Sequence, residues 1–185
     1  MADLGSALLQ LARDAIDERL GEPPTPTSNL DTVPELKEPG ATFVTLMQDG
    51  NLRGCIGSLE PRRSLAEDVR ENACNAAFRD PRFPPLTDEE WARTTVEVSL
   101  LTPSQPIRFK DEADALAQLR PGVDGVVFTA GFRRSTFLPQ VWEQLPEPSQ
   151  FMAHLKKKAG LPADYWGPDV KLERYEVRKW KEPSP

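Results

Sequence analysis

Proline is the residue that most limits this fold. There are 19 prolines in 185 residues, about twice the usual share of roughly 5%. They are not scattered. Pro23-Pro24-Thr25-Pro26, Pro81 with Pro84-Pro85, Pro103 with Pro106, and Pro146 with Pro148 form clusters. Each cluster lacks backbone donors and resists helical φ/ψ in the preceding residue, so it ends whatever element came before. The chain must therefore be built from short elements, and between the clusters the apolar pattern is regular.

Leu4, Leu8, Leu11, Ala12, Ala15, Ile16 and Leu20 recur at helical spacing. The spacing predicts an amphipathic helix over 4–20 ending at Gly21, with 22–31 a loop. Ala41 to Met47 reads as a strand, and Asp49-Gly50 is a two-residue hairpin signal. The return strand carries Leu52-Arg53-Gly54-Cys55-Ile56-Gly57. Alternation assigns Leu52, Gly54 and Ile56 to one face and Arg53, Cys55 and Gly57 to the other. Ser64-Leu65-Ala66-Glu67 is a capping box opening a helix that stops near Arg79, with Leu65, Val69, Ala73, Ala76 and Ala77 as its buried stripe. Thr87 to Glu90 is a second capping box, opening a short helix through Trp91.

Thr95 to Leu101 alternates as a strand. A short helix is expected over Asp111 to Leu119, and a second hairpin over Gly125 to Leu138 about Ala130-Gly131. Pro139 suits the first position of a helix through Leu145. Ser149 to Ala159 reads as a helix closed by Gly160. Leu172 to Trp180 reads as one terminal strand whose change of phase implies a bulge. Strands in hairpins with helices between them predict an α+β fold with antiparallel or mixed sheets flanked by helices. No linker is long enough to divide residues 1–185 into independent domains.

Composition narrows function. A formal net charge of -6 argues against a phosphate-backbone binder, so no nucleic-acid partner is expected. The Lys156-Lys157-Lys158 run reads as a solvated helix face. No segment approaches the roughly 18 apolar residues that a membrane span requires. The first twenty residues carry too many charges for a signal peptide. Two cysteines make no disulfide framework, which favours a reduced, cytoplasmic setting. Cys55, Cys74 and His154 are too few and too far apart for a zinc or iron–sulfur site, and no metal or cofactor is expected.

Cys55 is the residue around which chemistry is best placed. Its flanking glycines permit close backbone approach, and Arg53 on the expected same face would favour a thiolate. A nucleophilic or redox thiol and a packed structural thiol both fit. His154 would complete a dyad only if its helix packed over the 51–57 strand. Cys74 reads as a small core residue. Asp80 and Arg82 occupy the loop after the Cys55 hairpin's helix, either as an ion pair or as a cleft wall. Glu97 is a lone carboxylate on an apolar strand, a candidate acid/base or a partner for Arg53 or Arg134. Arg134 and Thr136 alternate on the strand leading into Phe137-Leu138-Pro139.

These strings together resemble the AMMECR family, whose bacterial members are called AmmeMemoRadiSam system protein A. Leu52-Arg53-Gly54-Cys55-Ile56-Gly57 matches its signature. Asp80-Pro81-Arg82-Phe83, Glu97-Val98-Ser99, Arg134 to Pro139 with Gln140-Val141-Trp142, and Lys158-Ala159-Gly160-Leu161 match its other motifs in order, across about Leu8 to Trp180. The resemblance implies two intertwined lobes, the larger drawing on both chain ends, with a cleft between them. It puts Cys55 and Glu97 at catalytic positions and Arg53, Gly54, Asp80, Arg82, Arg134 and Thr136 at binding positions. The expected ligand is a small anionic molecule or peptide. The bacterial name implies a pathway shared with a Memo-like protein and a radical SAM enzyme. Two functions remain open: an enzyme using Cys55, and a non-catalytic accessory module serving a partner enzyme.

Overall fold

The structure, a computed structural model, describes residues 3–24 and 30–183. In chain order it contains helix α1 (Leu4–Leu20), strands β1 (Pro39–Gln48), β2 (Asn51–Gly57) and β3 (Arg63–Ser64), and helices α2 (Leu65–Phe78) and α3 (Asp88–Trp91). Strands β4 (Thr94–Leu101) and β5 (Gln105–Ile107) follow, then α4 (Glu112–Gln118), β6 (Gly125–Ala130) and β7 (Arg133–Phe137). Helix α5 (Pro148–Lys158) and strands β8 (Val170–Tyr175) and β9 (Val177–Lys181) complete the set. Two compact units result. One takes the chain to Leu101 together with the segment from Arg178 onward, and the other is Thr102–Val177.

Local chemistry explains most element boundaries. Asp3 caps α1 by accepting from Ser6 N–H, and Gly21 closes it at φ 85°, the left-handed position that suits glycine. Both predicted capping boxes are present, at Ser64/Glu67 and Thr87/Glu90. Asp49 and Gly50 take φ 52° and 81°, the paired positive angles of a tight hairpin turn.

The first unit's sheet runs β2-β1-β4-β9, with β3 paired to the start of β1. Its β1–β2 and β1–β4 pairs are antiparallel. Helices α1 and α2 cover one face. Leu8, Ile16, Val44, Leu46, Val69, Ala73, Val96 and Val98 are all fully buried there. A Cβ on Gly54 would strike the carbonyl oxygen of Ala76 in α2. Strand and helix backbones therefore touch at this point, and only glycine allows it.

The second unit's sheet runs β5-β8-β6-β7 and is antiparallel throughout its described pairs. Its core joins Val126, Phe128, Leu155 and Leu172 to Phe151, whose ring stacks on Trp142 at 3.8 Å.

Four expectations need correcting. The 139–145 helix is a 3-10 turn, Pro139–Glu143. The terminal strand is not one bulged strand. It divides at Glu176 into β8 and β9, which belong to different sheets, so the phase change marks a switch of sheet. Lys156 is not solvated: it is buried and ion-paired with Glu112 at 2.7 Å, while Lys157 and Lys158 face solvent. A buried ammonium needs such a partner. Strand β5 was not foreseen. The predicted 22–31 loop includes a 3-10 turn at Leu30–Thr32, and 25–29 lies outside the described residues. No helix among the described residues is long and apolar enough to cross a membrane.

Candidate functional site

Strand β2 is not a regular strand. Leu46 lies opposite Gly54 but Met47 lies opposite Leu52, which leaves Arg53 as an extra residue. This β-bulge breaks the expected alternation. Leu52 shares no face with Gly54: it pairs with Met47 and is 41% exposed. Gly54 and Ile56 pair with Leu46 and Val44 on the helix side. Arg53 is drawn into the protein, 6% exposed. Its Nε donates to Glu90 at 2.7 Å and its Nη2 to the Pro84 carbonyl at 2.6 Å. Arg53 therefore does not reach toward the thiol or toward Glu97, as charge alone had suggested. Its partner Glu90 is pulled down to about 2, chiefly by that hydrogen bond.

Cys55 follows the bulge, half-buried, on the face turned away from α1 and α2. Its backbone is gripped from the outer side of the sheet. Its N–H donates to Asp80 Oδ2 at 3.0 Å, and its carbonyl accepts from Arg82 Nη2 at 3.4 Å. In an antiparallel pair, alternate residues turn both backbone groups away from the neighbouring strand. Cys55, opposite Thr45, is such a residue, and Asp80 and Arg82 stand where another strand would be. The Asp-Pro-Arg sequence builds the clamp locally. Asp80 Oδ1 accepts from the Arg82 N–H two residues on and from Arg82 Nε, both at 3.0 Å, which is an Asx turn. Arg82 Nη2 reaches Asp80 Oδ2 at 2.7 Å. The Arg82 guanidinium, with the Cys55 N–H, holds the buried Asp80 carboxyl well below the ordinary carboxylate range.

The side chain of Cys55 begins a polar row. Thr45 Oγ1 donates to Cys55 Sγ at 3.3 Å. Thr45 also lies opposite Glu97 on β4, so Cys55, Thr45 and Glu97 share one face across three strands. Two interstrand spacings separate Cys55 from Glu97, about 10 Å between backbones. Glu97 thus takes no proton directly from Sγ; it can act only on something lying along the row. Its carboxylate, 13% exposed, is flanked by Lys179 Nζ at 3.4 Å and Lys181 Nζ at 3.5 Å. Among the described residues no group of three or more His, Cys, Asp and Glu could hold a metal ion.

The sequence candidates divide accordingly. Cys55, Asp80 and Arg82 are bonded to one another, and Glu97 shares the row with Cys55. Gly54 supplies the close helix contact, and Arg53 belongs to the adjoining bulge. Arg134 and Thr136 stand on β7 in the other unit. There Thr136 Oγ1 donates to the Val126 carbonyl at 2.9 Å and shares a 3.0 Å hydrogen bond with the Tyr175 hydroxyl. Arg134 is exposed opposite Thr129. His154 is exposed on α5, and Cys74 Sγ donates to the Ala15 carbonyl at 3.4 Å.

Sequence reasoning missed Thr45, Glu90, Lys179 and Lys181, which matter only through pairing across strands and loops. It also missed a buried polar group behind the hairpin. Asp68 accepts from Thr42 N–H at 2.8 Å, Ser58 Oγ at 2.7 Å and Arg63 Nε at 2.9 Å. Asn72 donates to the Thr42 carbonyl at 3.0 Å. One signal was available. Asp68 and Asn72 fall on the same helical stripe as Leu65, Val69, Ala73 and Ala76, and polar residues on a buried stripe demand partners.

Known proteins resemble this chain over nearly its whole length. The chain is 38% identical to a protein of Methanothermobacter thermautotrophicus, covering 97% of this chain and 95% of that one. It is 40% identical to a protein of Thermococcus gammatolerans, over 98% and 91% of the two. The crystal structure of the uncharacterized protein PH0010 from Pyrococcus horikoshii superposes with a TM-score of 0.81 at 36% identity, covering 98% of this chain and 92% of that one. The AMMECR1 family model matches residues 9–180, and this chain therefore belongs to the AMMECR1 family.

Proposed function

We propose that the sheet face carrying Cys55, Thr45 and Glu97 binds a small anionic molecule or an anionic peptide, with Cys55 as its reactive thiol. The observation that carries this reading is the clamp. The buried Asp80 carboxylate, paired with the exposed Arg82, and two backbone hydrogen bonds hold one residue, while its sulfur is left half-buried with a hydroxyl donor. A rigidly held thiol beside a donor is what positioned nucleophilic chemistry requires. Lys179 and Lys181 outnumber the single carboxylate of Glu97, so the row favours a negatively charged ligand. Glu97 acts as acid or base on the far end of that ligand. Arg134 and Thr136 are further binding residues by their match to the family motifs. The family resemblance supports a pathway shared with a Memo-like protein and a radical SAM enzyme.

The test is alkylation of Cys55 by iodoacetamide in Cys74→Ser protein, followed by mass spectrometry across pH 6 to 8. Modification of the folded protein is expected, with a changed rate in Thr45→Val, which removes the hydroxyl at Sγ. If Cys55 reacts only once the chain is denatured, the reactive-thiol reading is overturned. A second reading, an accessory module in which Cys55 is chosen for its size, is favoured by the absence of a base bonded to Sγ among the described contacts. It predicts that Cys55→Ser, which keeps the size and removes the thiol, stays folded and as competent with a partner enzyme as wild type.

A further inference from the structure

Arg53 carries the only buried side-chain nitrogen or oxygen among the described residues that has no hydrogen-bond partner: its Nη1, which is also sealed from solvent. A buried charged donor left unpaired is destabilising, so it calls for an explanation. The rest of the side chain is held from several directions. Nε and Nη2 grip the Glu90 carboxylate at 2.7 and 3.3 Å, and Nη2 also donates to the Pro84 carbonyl at 2.6 Å. Glu90 in turn belongs to the Thr87 capping box of α3 and accepts from Gln48 Nε2 at 3.4 Å. The guanidinium plane is therefore fixed, and the direction of Nη1 with it.

Arg82 repeats the arrangement on the exposed side. Its Nε and Nη2 grip Asp80 at 3.0 and 2.7 Å, and its Nη1 donates to none of the described residues. Both guanidinium carbons lie 5.5 Å from the ring centroid of one residue, Phe83. Phe83 is half-buried between two anchors. One is the Asp80 clamp; the other is buried Leu86, whose N–H donates to the Ala77 carbonyl at 2.9 Å. The Phe83 N–H is itself held by the Asp80 carbonyl at 3.1 Å, so the ring moves by side-chain rotation on a fixed backbone. An aromatic face attracts a cation but satisfies its N–H groups poorly. An oxyanion does both, and the guanidinium group is shaped for it.

We propose that Arg53 Nη1 and Arg82 Nη1 form an oxyanion subsite beside Cys55, covered by the Phe83 ring until a carboxylate or phosphate group of the ligand displaces it. This rests on the reading above, that the Cys55 face takes an anionic ligand, and names what holds the negative group. Arg82 joins the two, since its Nη2 also reaches the Cys55 carbonyl. Two arginines stand here against two carboxylates, so recognition comes from directed donors and not from a positive field. Free ions accordingly bind weakly, at roughly millimolar concentration or above, and the remainder of the ligand supplies the rest of the affinity.

NMR of the intact, isotope-labelled chain tests this through the arginine Nε–H signals. Sodium acetate and sodium phosphate serve as probes at constant ionic strength, so that screening does not change. A saturable shift of both the Arg53 and the Arg82 signals is expected. Phe83→Ala, which removes the cover, should tighten binding roughly fivefold or more, because the open state no longer competes with the ring contact. Arg82→Lys, which keeps a cation for Asp80 but loses the planar donor, should weaken it roughly tenfold. Both changes lie in the loop and leave the Arg53–Glu90 pair in place, and unchanged thermal melts would show that the variants fold. A stronger response to acetate assigns the ligand's group as a carboxylate, and a stronger one to phosphate assigns it as a phosphate ester. No shift of either signal up to about 0.2 M of either ion overturns the proposal. So does a shift of Arg82 alone, or one whose midpoint ignores Phe83→Ala, as an exposed arginine collecting ions would give. The outcome is separable from that of the thiol reading. An inert Cys55 with responsive arginines removes the nucleophile and keeps the subsite; a Cys55 that alkylates while both arginine signals stay still does the reverse.

Discussion

The molecule contains two hairpins of similar outline, β1–β2 and β6–β7, each followed by a helix, and they are built to different ends. In β6–β7 every residue from Val126 to Ala130 has its partner in unbroken register. Its outer strand is secured by hydrogen bonds from Ser135 Oγ to the Leu155 carbonyl at 2.6 Å, from Thr136 Oγ1 to the Val126 carbonyl, and from Lys158 Nζ to the Thr136 carbonyl at 2.8 Å. In β1–β2 the outer strand is broken by the Arg53 bulge and secured by two ion pairs, Arg53–Glu90 and Arg82–Asp80. In the regular hairpin the ladder runs without interruption. In the bulged one the outward-facing backbone groups of Cys55 are taken by the Asp80 and Arg82 side chains, as buried backbone groups require. Bulges and buried charges concentrate where a side chain must be aimed, and here the residue aimed is Cys55.

The contrast should break most visibly at Gly54. Gly54→Val forces a side chain into the Ala76 carbonyl, and a loss of about 3 kcal/mol or more in urea unfolding is expected. Asp80→Asn comes next, at about 2 kcal/mol, since a charge-assisted clamp becomes a neutral one. Its pH dependence sharpens the comparison. Asp80 and Glu90 both have carboxyl groups depressed in the folded state. Their contribution is complete above the ordinary carboxylate value of about 4. It drains away as pH falls below that value, toward 2 for Glu90. Acid titration of stability should therefore be shallower in Asp80→Asn and in Glu90→Gln than in wild type. An unchanged slope would mean that neither clamp stabilises the fold. In the regular hairpin, Thr136→Val should cost about 1 kcal/mol, with no change in the acid slope. Smallest of all, Gly131→Ala, at positive φ with only an ordinary van der Waals contact to Asp169 Oδ2, should cost about 1 kcal/mol or less.

The difference between the hairpins was only partly legible beforehand. The Asp49-Gly50 turn was readable because positive φ at two consecutive positions restricts residue type. The Asp80-Pro81-Arg82 clamp was half readable, as an ion pair, because an Asx turn is a local event. The bulge was not. Strict alternation across Leu52 to Gly57 is the simplest reading of the residues, and it assigned Arg53 to the face of Cys55. Only the register against β1, with Met47 opposite Leu52 and Leu46 opposite Gly54, reveals the extra residue. Once Arg53 is extra, its partner is Glu90, 37 residues away. Glu97 behaved likewise. As a carboxylate on an apolar strand it was conspicuous, yet the lysines that hold it come from β9, near the end of the chain.

The sequence by itself determined where most of the helices begin and end. Asp3, Ser64, Thr87, Gly21 and Gly160 cap helices through atoms no more than a few residues distant, and prolines end elements through their own rings. It also determined the α+β class, since hairpins and amphipathic helices were both written in local periodicity. The tertiary structure alone decided which strand met which, that the last strand would split between two sheets at Glu176, and that Lys156 would be buried against Glu112. It also decided that Cys55 would be gripped by Asp80 and Arg82 with Thr45 at its sulfur. Such pairings are set by the packing of whole faces, where many weak contacts between distant residues are satisfied together. No window along the chain contains both partners.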